Sequence, residues 1–178
     1  MLELDVRVDA GGDLVPVLRA RQRRAVELLV GGRQDAEGGV YVGSDGGALF
    51  SLRAGSGEET WRFAAGGAIR GTPVLAGQTV YFGSADHSVY AVAVYTLDKS
   101  GSKIWSRRLG GPVNSGLALH GTTLYAGSDD GYLYAIDITT TTVRWRFGTG
   151  GQVRSRILVA GGLVIFGSLD HRVYALRA

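Results

Sequence analysis

The sequence predicts an all-β chain built of about four repeats, each of four antiparallel strands. Three observations predict it. Four Gly-Ser pairs, beginning at Gly43, Gly83, Gly127 and Gly167, recur at near-equal intervals, with only the middle interval slightly longer. The three tryptophans of the chain keep a fixed distance from the next Gly-Ser pair: Trp61 from Gly83, Trp105 from Gly127 and Trp145 from Gly167. Between these anchors β-branched and aromatic residues alternate with polar ones at period two. No 3.6-residue period runs through a unit, which excludes a helical solenoid.

The second unit shows the strands in order: "AIRGTPVLA", "QTVYFGS", "HSVYAVAV" and "KIWSRRL". The dipeptides Ala-Gly and Asp-His and the run "KSGS" supply the turns between them. Phe50 to Trp61 and Tyr134 to Trp145 are equally spaced, whereas Tyr90 to Trp105 is longer. The irregular spacing is thus a short insertion around "TLDKSGS". A unit of about 40–45 residues with four strands is the signature of a β-propeller blade. Residues 39–178 carry these units. Residues 1–38 are expected to hold degenerate blade strands, because "VRVDAGG" resembles "WRFAAGG" and "LVPVLRA" resembles "GTPVLAG". The stretch "RARQRRAVELLV" (residues 19–30) is expected to add a short helix, with Arg19, Arg21, Arg23 and Arg24 on a solvated face.

Composition bounds the function. The 178 residues are 45% hydrophobic and 20% charged, which is globular. With 29 Gly, only 3 Pro and no collagen period, the glycines belong to many tight turns. The absence of cysteine removes disulfides, thiolate metal sites and cysteine nucleophiles. Residues 1–38 carry net charge −1 and residues 39–178 carry +4. Neither half has the field of a nucleic-acid-binding surface. No apolar run reaches a membrane span. The start "MLELDVRVDAGG" has no basic or apolar leader, so the chain as written is expected in the cytoplasm, with a piece of a longer protein as the alternative.

The pairs Asp86-His87 and Asp170-His171 first suggest a metal site or a proton shuttle. They align with Asp130-Gly131 and with Gly46-Gly47 of the other units. A two-residue mirror-type hairpin turn wants positive φ at both central positions, and Asp and His tolerate it. They are therefore expected to be turn residues. The aligned positions that begin each inner strand are Arg70, Asn114 and Arg154, with Arg156 two residues beyond. Inner strands surround a propeller's channel, so these four are the candidate ligand-binding residues at its mouth, suited to an anionic group or an acidic peptide.

Units such as "TLYAGSDDGYLYAIDITTTTVRWRF" resemble the pyrroloquinoline-quinone-like (PQQ-like) propeller repeat family. The match runs over residues 39–178, and Tyr134-Ala135-Ile136-Asp137 with Trp145 fits its tryptophan-docking pattern. Asp137 is replaced by Arg53 and Ala93 in other units. The resemblance implies that Trp61, Trp105 and Trp145 dock each blade against its neighbour. It also implies seven or eight blades in a complete ring, and members that are often periplasmic or membrane-attached. The family's quinone enzymes use calcium and usually a vicinal disulfide. Here there is no cysteine and no acidic cluster, so no quinone or calcium is expected and no catalytic or metal residue is assigned. The expected role is a non-catalytic scaffold or sensor, similar to outer-membrane assembly propellers or to sensor propellers attached to bacterial Ser/Thr kinases. The alternatives are a fragment of a quinoprotein dehydrogenase and a sensor of small anions. The partner expected is a protein or peptide, not nucleic acid.

Counted as strands, the N-terminal strand is expected to complete the last blade, which lacks a tryptophan strand. Three closures stay open: a closed four-blade ring, two copies completing an eight-blade ring, or a fragment of a longer propeller.

Overall fold

The computed structural model describes residues 2–8, 14–20, 39–94 and 101–178. They form sixteen β-strands and no helix. The helix expected over residues 19–30 falls almost wholly outside the described residues.

Strands β1 (Leu2–Val8) and β2 (Leu14–Ala20) pair antiparallel from Leu2↔Ala20 to Val8↔Leu14. Blade 1 follows as β3 (Gly39–Gly43), β4 (Ala48–Arg53) and β5 (Glu59–Ala64). Blade 2 is β6 (Val74–Ala76), β7 (Thr79–Gly83), β8 (Ser88–Ala93) and β9 (Lys103–Arg108). Blade 3 is β10 (Ala118–His120), β11 (Thr123–Gly127), β12 (Tyr132–Asp137) and β13 (Val143–Gly148). Blade 4 is β14 (Leu158–Ala160), β15 (Leu163–Ser168) and β16 (Arg172–Arg177). Each blade is an antiparallel meander in chain order.

Period-two alternation gives each blade two apolar faces, and three clusters fill the gaps between the four blades. Between blades 1 and 2, Tyr41, Leu49 and Trp61 meet Ile69, Val80, Phe82 and Val92. Between blades 2 and 3, Tyr81, Val89 and Ala91 meet Leu124, Ala126 and Ile136. Between blades 3 and 4, Tyr125, Leu133 and Ala135 meet Val153, Val164 and Phe166. Each tryptophan belongs to one cluster: Trp61 is buried, while Trp105 and Trp145 pack as partly buried rings. Each also tilts against a tyrosine of its own blade, with centroids 5.7 to 5.8 Å apart in Tyr41–Trp61, Tyr81–Trp105 and Tyr125–Trp145. Such pairs add about 0.5–1.5 kcal/mol beyond area burial. Trp61 Nε1–H further donates to the Val94 carbonyl of blade 2 at 2.9 Å.

The blades form an open arc. Among the described residues no cluster joins blade 4 to blade 1, so the closed four-blade ring is not the arrangement adopted. The N-terminal strand does not complete blade 4 either, because β1 pairs with β2, and among the described residues no strand pairs with the outer edge of β16. A short link between β1 and β2 costs less loop-closure entropy than joining strands from opposite ends of the chain.

The Asp-His turns differ from the expected mirror type. Ser84 N–H bonds the Ser88 carbonyl, and His87 N–H bonds the Ser84 carbonyl. The loop thus has three residues, a turn followed by one left-handed position. Only the second member of each pair takes positive φ: 76° at His87, 69° at His171, 87° at Gly131 and 81° at Gly47. The aspartates are therefore free to serve another purpose.

One turn holds a misfit. At the aligned position shortly before each tryptophan stand Gly57, Gly101 and Thr141, with φ of 68°, 57° and 60°. A β-branched residue is strained there. Thr141→Gly is expected to stabilise the protein by about 1 kcal/mol, raising Tm by roughly 2–4 °C. An unchanged or lower Tm in calorimetry would count against this.

Candidate functional site

The link segments that cross from one blade to the next, around residues 65–73, 109–117 and 149–157, carry the mouth residues. Arg70, Asn114 and Arg154 lie side by side at one end of the inner strands β6, β10 and β14. With Thr72, Gly116 and Arg156 they line a depression of about 400 Å³. It continues into a groove of about 660 Å³ between the inner strands, walled by Val74, Leu75, Leu117, Leu119, Ile157 and Val159 among others.

Two of the three arginines are already engaged. Arg70 Nε donates to Asp45 Oδ1 at 2.8 Å. Arg154 grips Asp129 bidentately, at 2.8 and 2.9 Å. Asn114 Nδ2 donates to the same Asp129 at 2.8 Å, and Arg70 reaches Asn114 Oδ1 at 3.5 Å. Burial pushes the Asp129 carboxyl up, but hydrogen bonds from Arg154 and Asn114 outweigh it and hold the group below the usual carboxylate range. Asp45 and Asp129 directly follow the Gly-Ser pairs of blades 1 and 3. Each pairs with the arginine of the next blade's link. Blade 2 has Ala85 at that position, and the link after it carries Asn114 instead of arginine. Sequence reasoning missed the two aspartates. This alternation of Asp with Ala beside Arg with Asn was the available signal.

The arrangement staples adjacent blades and leaves Arg156 as the cation without an ion pair in the depression among the described residues. Arg154→Ala is expected to cost about 1–2 kcal/mol, because it leaves an Asp129 side chain that is only 9% exposed without its bidentate partner. Arg70→Ala removes a bridge between two half-exposed groups and is expected to cost less than about 1 kcal/mol. Equal losses in urea unfolding would contradict the burial argument.

The turn aspartates form a second set of staples. Asp86 accepts from Tyr90 Oη–H at 2.6 Å, Ser88 N–H at 2.9 Å and Gly66 N–H, in the link from blade 1, at 2.9 Å. Asp170 repeats this with Tyr174 at 2.6 Å, Arg172 N–H at 3.1 Å and Gly150 N–H at 2.9 Å. Asp130 accepts from Tyr134 and Tyr132 N–H. Asp86 and Asp170 thus tie a turn to the preceding blade's link. Among the described residues no three of His, Cys, Asp or Glu gather closely enough to hold a metal ion.

Antiparallel blades of three or four strands, docked through tryptophan and tied across by turn carboxylates, define a β-propeller of PQQ-like repeats. The chain belongs to the family of the outer membrane protein assembly factor BamB, whose model matches residues 19–96 and 92–178. Among curated proteins no sequence matches. Many solved structures share the fold, among them these three. BamB from Moraxella catarrhalis is 23% identical with a TM-score of 0.67, over 97% of this chain and 54% of that one. The computationally designed Ika4 protein is 17% identical with a TM-score of 0.70, over 80% and 87%. A chain of the mitotic checkpoint complex is 14% identical with a TM-score of 0.77, over 94% and 52%. The chain therefore spans about half the length of the BamB it resembles.

Proposed function

We propose that this chain is a non-catalytic protein-binding scaffold. The observation that carries the reading is membership in the assembly-factor family, whose model matches residues 19–96 and 92–178. Asp45, Asp86, Asp129 and Asp170 are committed to holding blades together, which suits a rigid platform rather than acid-base chemistry. The reading includes no quinone and no calcium.

The competing reading is a fragment of a quinoprotein dehydrogenase. Titration with pyrroloquinoline quinone and calcium separates the two. The scaffold gives no visible-absorbing complex and no dye-linked alcohol oxidation, and either signal overturns it. A second reading, an anion sensor, is favoured only by Arg156, because Asp45 and Asp129 neutralise Arg70 and Arg154. It requires that inorganic phosphate or citrate raise Tm and that Arg156→Ala abolish the rise.

A further inference from the structure

Resting on the scaffold reading, we infer that the groove between the inner strands β6, β10 and β14 is a docking site for the C-terminal tail of a partner protein. That tail ends in apolar residues, and its free terminal carboxylate meets Arg156.

The repeat shows how the site is built. In blades 2, 3 and 4 the meander begins at the inner strand, so β6, β10 and β14 each stand at one end of their sheet. Propeller blades surround a central channel. The inner edges therefore face the axis and not another blade, whatever follows Ala178. An end strand offers N–H and C=O groups to an extended chain. The walls between these edges are apolar, with Val74 and Leu75 from β6, Leu119 from β10, and Leu158 and Val159 from β14. The groove's volume of about 660 Å³ lies within the range of small-ligand pockets.

One end of the groove is polar. Thr72 and Arg156 line both the groove and the depression at the mouth. They occupy the same position of the repeat, where blade 3 has Gly116. A Cβ added at Gly116 would lie 3.2 Å from Arg156 Cγ and 3.3 Å from its Cα. The arginine stem thus rests on a glycine, and any side chain there would press on it. Arg70 and Arg154 are spent on Asp45 and Asp129. Among the described residues neither the Arg156 guanidinium nor the Thr72 hydroxyl has a hydrogen-bond partner.

Charge and shape together select the occupant. An inorganic anion would satisfy Arg156 and leave the apolar walls wet. A wholly apolar chain would cover the walls and bury the arginine without a partner. A chain terminus carries its carboxylate directly beside its last apolar side chain, which matches the place where the groove turns from apolar to cationic. Its backbone also suits the open strand edges.

The test uses two fluorescent peptides against the full chain. Both carry the dye on Gly-Ser-Gly-Leu-Val-Leu, one with a free C-terminal carboxylate and the other as the C-terminal amide. The acid is expected to bind at least about tenfold tighter than the amide, and to slow amide exchange in β10 and β14. Arg156→Ala is expected to make the two affinities equal without changing Tm. Leu158→Asn, at a side chain 56% exposed, is expected to weaken both peptides by about fivefold. Equal affinities in the wild type, an acid preference that survives Arg156→Ala, or binding untouched by Leu158→Asn overturns the tail site. Inorganic phosphate that raises Tm while neither peptide binds overturns it too and leaves only an anion site. All of these outcomes leave the scaffold reading standing. Quinone binding sinks the scaffold reading whatever the peptides do.

Discussion

Gly127→Ala is expected to destabilise the protein by about 3 kcal/mol, and Gly167→Ala by less than about 0.5 kcal/mol, although both glycines occupy the same position of the repeat. A Cβ at Gly127 would lie 2.5 Å from Val153 Cγ1 and 2.6 Å from the Val153 carbonyl oxygen. The second contact is backbone and cannot rotate away. Gly43 meets Ile69 and Gly83 meets Val113 in the same manner, each in the link to the following blade. The Gly of each of these three Gly-Ser pairs is therefore a point of blade-to-blade approach. At Gly167 the nearest atom to an added Cβ is 3.6 Å away, in Ser155 of the link that leads into its own blade. Urea unfolding of the two variants measures the contrast. A severe loss at Gly167→Ala would show that another blade packs against blade 4 in solution, against the open arc.

Asp86→Asn is the second large effect. The three donors that converge on this carboxylate, Tyr90 Oη–H and the N–H groups of Ser88 and Gly66, need acceptors, and an amide replaces one acceptor oxygen with a donor. A loss of about 2 kcal/mol is expected at pH 7, moderated by the solvent on one side of the group. Burial pushes the Asp86 carboxyl up, but the hydrogen bonds from Tyr90, Ser88 and Gly66 outweigh it and leave it below its ordinary value. A depressed folded value means that the stabilisation is full above the unfolded carboxylate pKa of roughly 4 and is lost as pH falls through the folded one. The gap between wild type and Asp86→Asn is thus expected to narrow below about pH 4. A gap that stays constant with pH would separate the loss from the carboxylate charge.

Much of the fold was legible because a repeat writes the same constraint several times. The Gly-Ser and tryptophan spacings located all four blades, and period-two alternation located their strands. Aligning His87 with Gly131 marked a left-handed position in advance. The turn type was misjudged because a sequence shows which residues tolerate positive φ, not how many loop positions need it. The mouth was only half legible. Arg70, Asn114 and Arg154 do come together, but whether they face a ligand or a neighbour depended on Asp45 and Asp129. Each of those aspartates lies a whole strand pair upstream of the arginine it binds, in the preceding blade.

The sequence by itself determined the repeat unit and the strand order, because these follow from periodicity. Only the tertiary structure decided what the polar residues between strands are used for. It turned Asp86 and Asp170 from turn residues into ties between blades, and it engaged two of the three mouth arginines with carboxylates of the preceding blade. It also buried Leu133 against Val153, Val164 and Phe166 of the following link and blade. The physical reason is that a repeat encodes each blade's own face and edge. Which blade, chain or partner covers that face is a question of three-dimensional adjacency.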